Sequence, residues 1–178
     1  MISHLTYSDR DQAQLWTRNL PRLTLPLATD FRSVVVLKPW GYEYLAFETA
    51  KAAAWVLHIK AGSSTSMHCH LHKRTSLLVL SGSPTVATLK STFRLSPLDG
   101  VVIDSGVFHS TRSSTLEETV LVEIETPPDK GDLVRLTDEY GRENRGYEGA
   151  DRIDRDLSRY KHYDLQPIVE ILASSLVP

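Results

Sequence analysis

Between residue 31 and about residue 126 the chain reads as short runs of β-branched, aromatic and aliphatic residues with polar positions among them. The runs fall at 34–37, 42–47, 54–59, 76–80, 85–89, 101–103 and 120–124. Glycine or proline punctuates nearly every gap, as at Pro39, Gly41, Gly62, Gly82, Pro84, Pro97, Gly100, Gly106 and Pro127. Many short strands at this spacing predict an antiparallel sandwich or barrel, not a parallel sheet alternating with helices. Before the runs, Ser8 is placed to cap a helix, with Asp11 three residues on and Leu15, Trp16 and Leu20 at partial helical spacing until Pro21 ends it. Beyond Pro127 the β-rich text stops, and residues 129–159 turn rich in Asp, Arg, Lys and Gly. Pro167 suits a first helical position, and Ile168, Ile171, Leu172 and Leu176 would share one face of a closing helix. The expected organisation is a helical arm over 1–30, an all-β barrel domain over 31–126, and a C-terminal extension over 127–178 packed on the barrel or on a partner.

Composition narrows the class further. With 178 residues, 41% hydrophobic and 24% charged, the chain suits one globular domain with a real core. A formal net charge of −2 gives no general attraction to nucleic acid or to an anionic membrane surface. No apolar run approaches the roughly 20 residues that span a bilayer, and no secretory leader is evident. Cys69 is the only cysteine, which fits a reducing compartment. The expected location is the cytoplasm. No DNA-binding helix pair, phosphate-cradling glycine loop or Ser-His-Asp framing is present.

Candidate chemistry concentrates between Gly62 and Gly82. His68 and His70 stand two apart, so in a strand they project from one face and offer half of a transition-metal site. His109 is the best candidate for a third ligand, because it follows an apolar strand and a turn at Gly106. Cys69 alternates away from the two histidines and is expected in sheet packing. Glu123 and Glu125 share a strand face and are candidates for acid or base work, although solvated strand carboxylates are commoner.

The segment Gly62-x5-His68-x-His70-x4-Thr75-x6-Gly82 resembles the first conserved motif of the cupin superfamily. The stretch from Pro97 to His109 resembles the second, keeping Gly106 and His109 and departing at Leu98, Asp104 and Ser113. The resemblance implies a jelly-roll barrel with one divalent transition metal (zinc, iron, nickel or manganese) held in its wider mouth, and a homodimer. Where full-motif members supply a glutamate ligand, this chain has Thr75, whose hydroxyl ligates weakly. Three arrangements follow: three histidines completed by water, substitution by His72, or a weak or empty metal site. The first is favoured, since a catalytic metal needs open positions.

The segment Lys38-Pro39-Trp40-Gly41-Tyr42-Glu43 is similar to one that opens the cupin domain of mannose-6-phosphate isomerase-like proteins, which implies a small carbohydrate ligand. On that resemblance Trp40 and Tyr42 stack on a sugar ring and Lys38 meets a phosphate; the alternative is that both aromatics plug the barrel end. Arg135, Arg142 and Arg145 in the charged tail are candidates to bind an anionic group. Three functions stay open: a metal-dependent sugar or sugar-phosphate isomerase or epimerase, a three-histidine Fe(II) dioxygenase, and a non-catalytic sugar-binding cupin.

Overall fold

The computed structural model describes residues 1–17, 30–143, 145–148 and 150–160. In chain order the elements are β1 (Ile2–Leu5), α1 (Asp9–Thr17), β2 (Val35–Lys38), β3 (Gly41–Glu48), β4 (Ala53–Ile59), β5 (Met67–Cys69), β6 (Arg74–Ser81), β7 (Thr85–Thr88), β8 (Thr92–Arg94), β9 (Gly100–Ile103), β10 (His109–Arg112), β11 (Thr119–Thr126), β12 (Val134–Thr137) and β13 (Ile153–Asp154). All seven predicted runs are strands. The six further strands have two to four residues each, too short to display an alternation of their own. Leu20, Pro21 and the expected helix from Pro167 lie outside the described residues. No helix among the described residues is long and apolar enough to cross a membrane.

The strands form two sheets. The larger runs β1-β9-β6-β11-β4-β3-β2-β13 and the smaller β12-β5-β10-β7-β8. All neighbours pair antiparallel except β1 with β9. Val86 of the smaller sheet joins Ile59, Leu77, Val79, Val101, Ile103 and Leu121 of the larger in one buried cluster, so the sheets share a core. On β6 the alternation is plain, with Thr75, Leu77 and Val79 buried and Arg74 and Leu78 exposed. β4 is buried at every position, because a second cluster around Val35, Tyr44, Val56 and Val120 covers its other face.

The turn into β3 depends on Gly41. It adopts φ +152°, and a Cβ there would stand 1.9 Å from the His58 carbonyl oxygen. No other residue fits so close an approach of two backbones.

Candidate metal centre

Two strands of the smaller sheet bring the histidines together. His68 lies on β5, His70 just beyond it, and His109 at the head of β10, where it pairs in register with His68. Ring centroids lie 4.4 Å apart for His68 and His109, 5.0 Å for His68 and His70, and 5.5 Å for His70 and His109. One ligand atom from each ring lies within 4.8 Å of the other two.

Hydrogen bonding selects which nitrogen each ring presents. Nδ1 of His68 lies 2.8 Å from the Ser66 carbonyl, that of His70 2.5 Å from the Asp132 carbonyl, and that of His109 3.0 Å from the Val107 carbonyl. A carbonyl only accepts, so each Nδ1 is the protonated nitrogen and each Nε2 is left with a bare lone pair. The Nε2 of His70 is buried with no hydrogen-bond partner. Burial, the largest influence, pushes all three imidazole pKa values below the ordinary range; His109 adds repulsion at His68, and Lys73 does so at His70. The rings are therefore neutral at neutral pH, the form in which imidazole binds a metal. An inward-facing lone pair without a partner fits a cation.

Two carboxylates hold this arrangement from outside. Asp132, fully buried, accepts from the backbone N–H groups of Leu71, His72 and Lys73 at 2.8, 2.7 and 2.9 Å, while its own carbonyl accepts a hydrogen bond from His70 Nδ1. At the start of α1, Asp11 Oδ2 accepts from both the backbone N–H and the hydroxyl of Ser8, and Oδ1 accepts from the Phe108 N–H at 2.9 Å, immediately before His109. Spacing marked Asp11 as a helix-cap residue and gave no sign of its second role. Nothing in the sequence singled out Asp132. Cys69 faces the other way, into a cluster with Phe108, Val134 and Leu136, and burial pushes its thiol well above the ordinary range. It is an inert packing residue.

Beside the histidines is a cavity of about 60 Å³, lined by His68, His70, Lys38, Trp40, Glu43, Lys73, Glu123, Glu125, Lys130, Arg135, Arg142 and Tyr147, among others. Of the residues suggested for ligand contact, Lys38, Trp40 and Glu123 reach this wall. Tyr42 instead stacks on His58 at 4.4 Å within the cluster on the far side of the larger sheet. His72 is exposed in a bend, because the strand stops at Cys69 and does not carry it onto the His70 face. Thr75 is buried on β6, its Oγ1 without a hydrogen-bond partner, and is not part of the three-ring cluster.

Glu123 and Glu125 are buried, not solvated. Lys130 is 3.0 Å from Glu123, 3.1 Å from Glu125 and 3.3 Å from Glu43, and Lys73 is 2.7 Å from Glu125. Burial alone would lower the Lys130 pKa, but these three carboxylates outweigh it and raise it. At Lys38 burial prevails over Glu43 and Glu148, and its pKa falls. Tyr147 donates to Glu43; burial and that carboxylate push the phenol far up, so it stays protonated.

Two sheets sharing a core, with three histidines converging from β5 and β10, define a class, and comparison with solved structures agrees: the fold is a cupin fold. A cupin-2 domain protein from Rhodospirillum rubrum superposes with a TM-score of 0.53 at 13% identity, over 64% of this chain and 84% of that one. The capsular polysaccharide assembling protein CapF of Staphylococcus aureus gives 0.53 at 19% identity, over 58% of this chain and 34% of that one. Among curated proteins, the mannose-1-phosphate guanylyltransferase of Klebsiella pneumoniae is 26% identical over 109 residues, 60% of this chain. The match spans only 23% of that relative's length. No protein-family model matches the chain.

Proposed function

We propose that the chain is a metal-binding cupin that acts on a sugar or sugar phosphate, of isomerase or epimerase type, with His68, His70 and His109 as ligands to one divalent transition metal (zinc, iron, nickel or manganese). The observation that carries this reading is the set of three Nδ1 protons donated to the carbonyls of Ser66, Asp132 and Val107, which leaves three Nε2 lone pairs for one cation. A bound divalent ion would supply a Lewis acid toward a carbonyl or adjacent hydroxyls. The chain's own residues have the other tasks. Glu123 and Glu125 present carboxylates to the cavity, placed to take up and return a proton. Trp40 offers an aromatic wall.

The sugar direction rests on the segment from Lys38 to Glu43 and on the partial likeness to mannose-1-phosphate guanylyltransferase. CapF, by its name a capsular polysaccharide assembling protein, shares the fold. With Thr75 in place of a carboxylate, the ligand set is three histidines completed by water. That all-imidazole set also favours a second reading, a three-histidine Fe(II) dioxygenase. Closure of the sheets as a jelly-roll barrel over 31–126, flanked by the arm and the C-terminal extension, belongs to the same proposal, as do a homodimer and a cytoplasmic setting.

The test is elemental analysis of protein purified without chelator, combined with turnover assays on sugar phosphates for wild type and His68→Ala. The expected result is about one metal per chain in wild type, with both metal and turnover lost in the variant. Iron with substrate-dependent oxygen uptake would move the assignment to the dioxygenase. Turnover that survives both metal removal and His68→Ala would end the metal reading, and thermal stabilisation by sugars without metal or product would leave a binding protein.

A further inference from the structure

Three cations of the cavity wall converge on one carboxylate from the chain's own tail. Lys38 donates to Glu148 Oε2, Arg142 Nη1 lies 2.5 Å from Oε1, and Arg135 Nη2 lies 3.4 Å from the same oxygen. The side chains of Lys38, Arg135 and Glu148 are 4%, 4% and 8% exposed. Each cation has a second anchor: Lys38 to Glu43 at 3.5 Å, Arg142 to Asp138 at 2.8 Å, and Arg135 to the Arg145 and Gly146 carbonyls at 2.5 Å each. Lys38 and Arg142 therefore keep carboxylate partners without Glu148, and Arg135 keeps its two carbonyls.

Donors exceed acceptors there. Arg135, a buried residue on the cavity wall, keeps its Nε–H without a hydrogen-bond partner. An unpaired buried guanidinium nitrogen costs stability, and an oxyanion with more acceptor positions than one carboxylate would satisfy it. Space argues the same way. The cavity beside His68 and His70 measures about 60 Å³, and release of Glu148 from the wall would enlarge it for a ligand. Glu148 lies outside the named strands and helices, and ion pairs bind its carboxylate to the wall.

We infer that Lys38, Arg135 and Arg142 form an oxyanion subsite of this cavity, that Glu148 fills it in the free chain, and that a carboxylate or phosphate on the small-molecule ligand replaces Glu148. The ligand is thus an anion, with its charged group on the cradle and its remainder toward the histidines. The inference rests on the cavity being the ligand site, as in the proposed function, and not on the metal.

The test is titration of the full-length protein with inorganic phosphate, and separately with acetate, at constant ionic strength, by calorimetry and amide NMR. Wild type is compared with Glu148→Ala, with the near-isosteric Glu148→Gln, and with Glu148→Gln carrying Arg142→Met. A tethered competitor lowers apparent affinity by the fraction of time it leaves the site open, so removing its charge tightens binding of at least one anion roughly tenfold. Arg142→Met abolishes that gain. Stronger binding of phosphate assigns a phosphorylated ligand, and stronger binding of acetate a carboxylate. Unchanged affinity for both anions in both single variants overturns the inference, as does a gain that persists in Arg142→Met. Metal content measured on the same preparations separates the two proposals: a protein that takes up no metal yet shows the gain sinks the metal reading alone, and a metal-loaded protein without it sinks only the anion subsite.

Discussion

Asp132 gives the candidate centre no ring, yet its carboxylate collects three successive backbone N–H groups and its carbonyl orients His70. Asp132→Ala strands those donors in a buried turn, and the expected loss is about 3 kcal/mol or more in urea denaturation. Metal affinity falls roughly 10–100-fold in the same variant, as for other groups that orient a ligand, and competition with a chromogenic chelator measures it. His109→Ala removes a ring and its one hydrogen bond to the Val107 carbonyl, so metal is lost while the circular dichroism of the sheets is retained. Gly82, the closing glycine of the first motif, has φ +85°, and a Cβ there would stand 2.6 Å from the Glu118 carbonyl oxygen. Gly82→Ala is expected to cost about 2 kcal/mol or more, read from the same denaturation curves.

Among the elements, two short strands, β5 and β10, position the candidate metal ligands. β5 has three residues, and its place comes from β10 on one side and β12 on the other. Helix α1 contributes through one residue, since Asp11 joins its cap to the turn before His109. The charged tail, expected to pack on the barrel or on a partner, contributes Lys130, Arg135, Arg142 and Tyr147 to the cavity wall. Its acid response follows from Glu148. Burial would raise that carboxyl, but Lys38, Arg135 and Arg142 outweigh it and hold the folded pKa below the ordinary value. A depressed folded pKa contributes stability above the unfolded value, near 4.3, and the contribution is lost as pH falls through the folded one. The melting-temperature gap between wild type and Glu148→Gln is therefore expected to be constant at neutral pH and to close below about pH 5. A gap that widened in acid would reverse the sign argued here.

For the whole molecule, metal binding and stability are linked. A cation that binds only the folded chain at a thousandfold excess over its Kd adds about 4 kcal/mol. For a chain of this size, chelation is then expected to lower the melting temperature by about 10 °C, and His68→Ala to be insensitive to chelator.

The sequence by itself determined the β class, seven of the strands and the three histidines. Most of those are local patterns: alternation and punctuation mark a strand, and the His-x-His spacing marks a pair, whereas the meeting of His109 with that pair came from the pairing of β10 with β5. Only the tertiary structure decided that Tyr42 turns to His58, that Thr75 stands apart from the rings, and that Asp11 and Asp132 brace the centre from distant positions. It also decided that Glu123 and Glu125 are buried, because the lysines that neutralise them come from a turn and a tail whose sequence reads as solvated surface. A strand's alternation states which residues share a face. Whether that face meets water, a core or a buried countercharge depends on what packs against it, and in this chain one such group, Lys73, lies 52 residues from the Glu125 it neutralises.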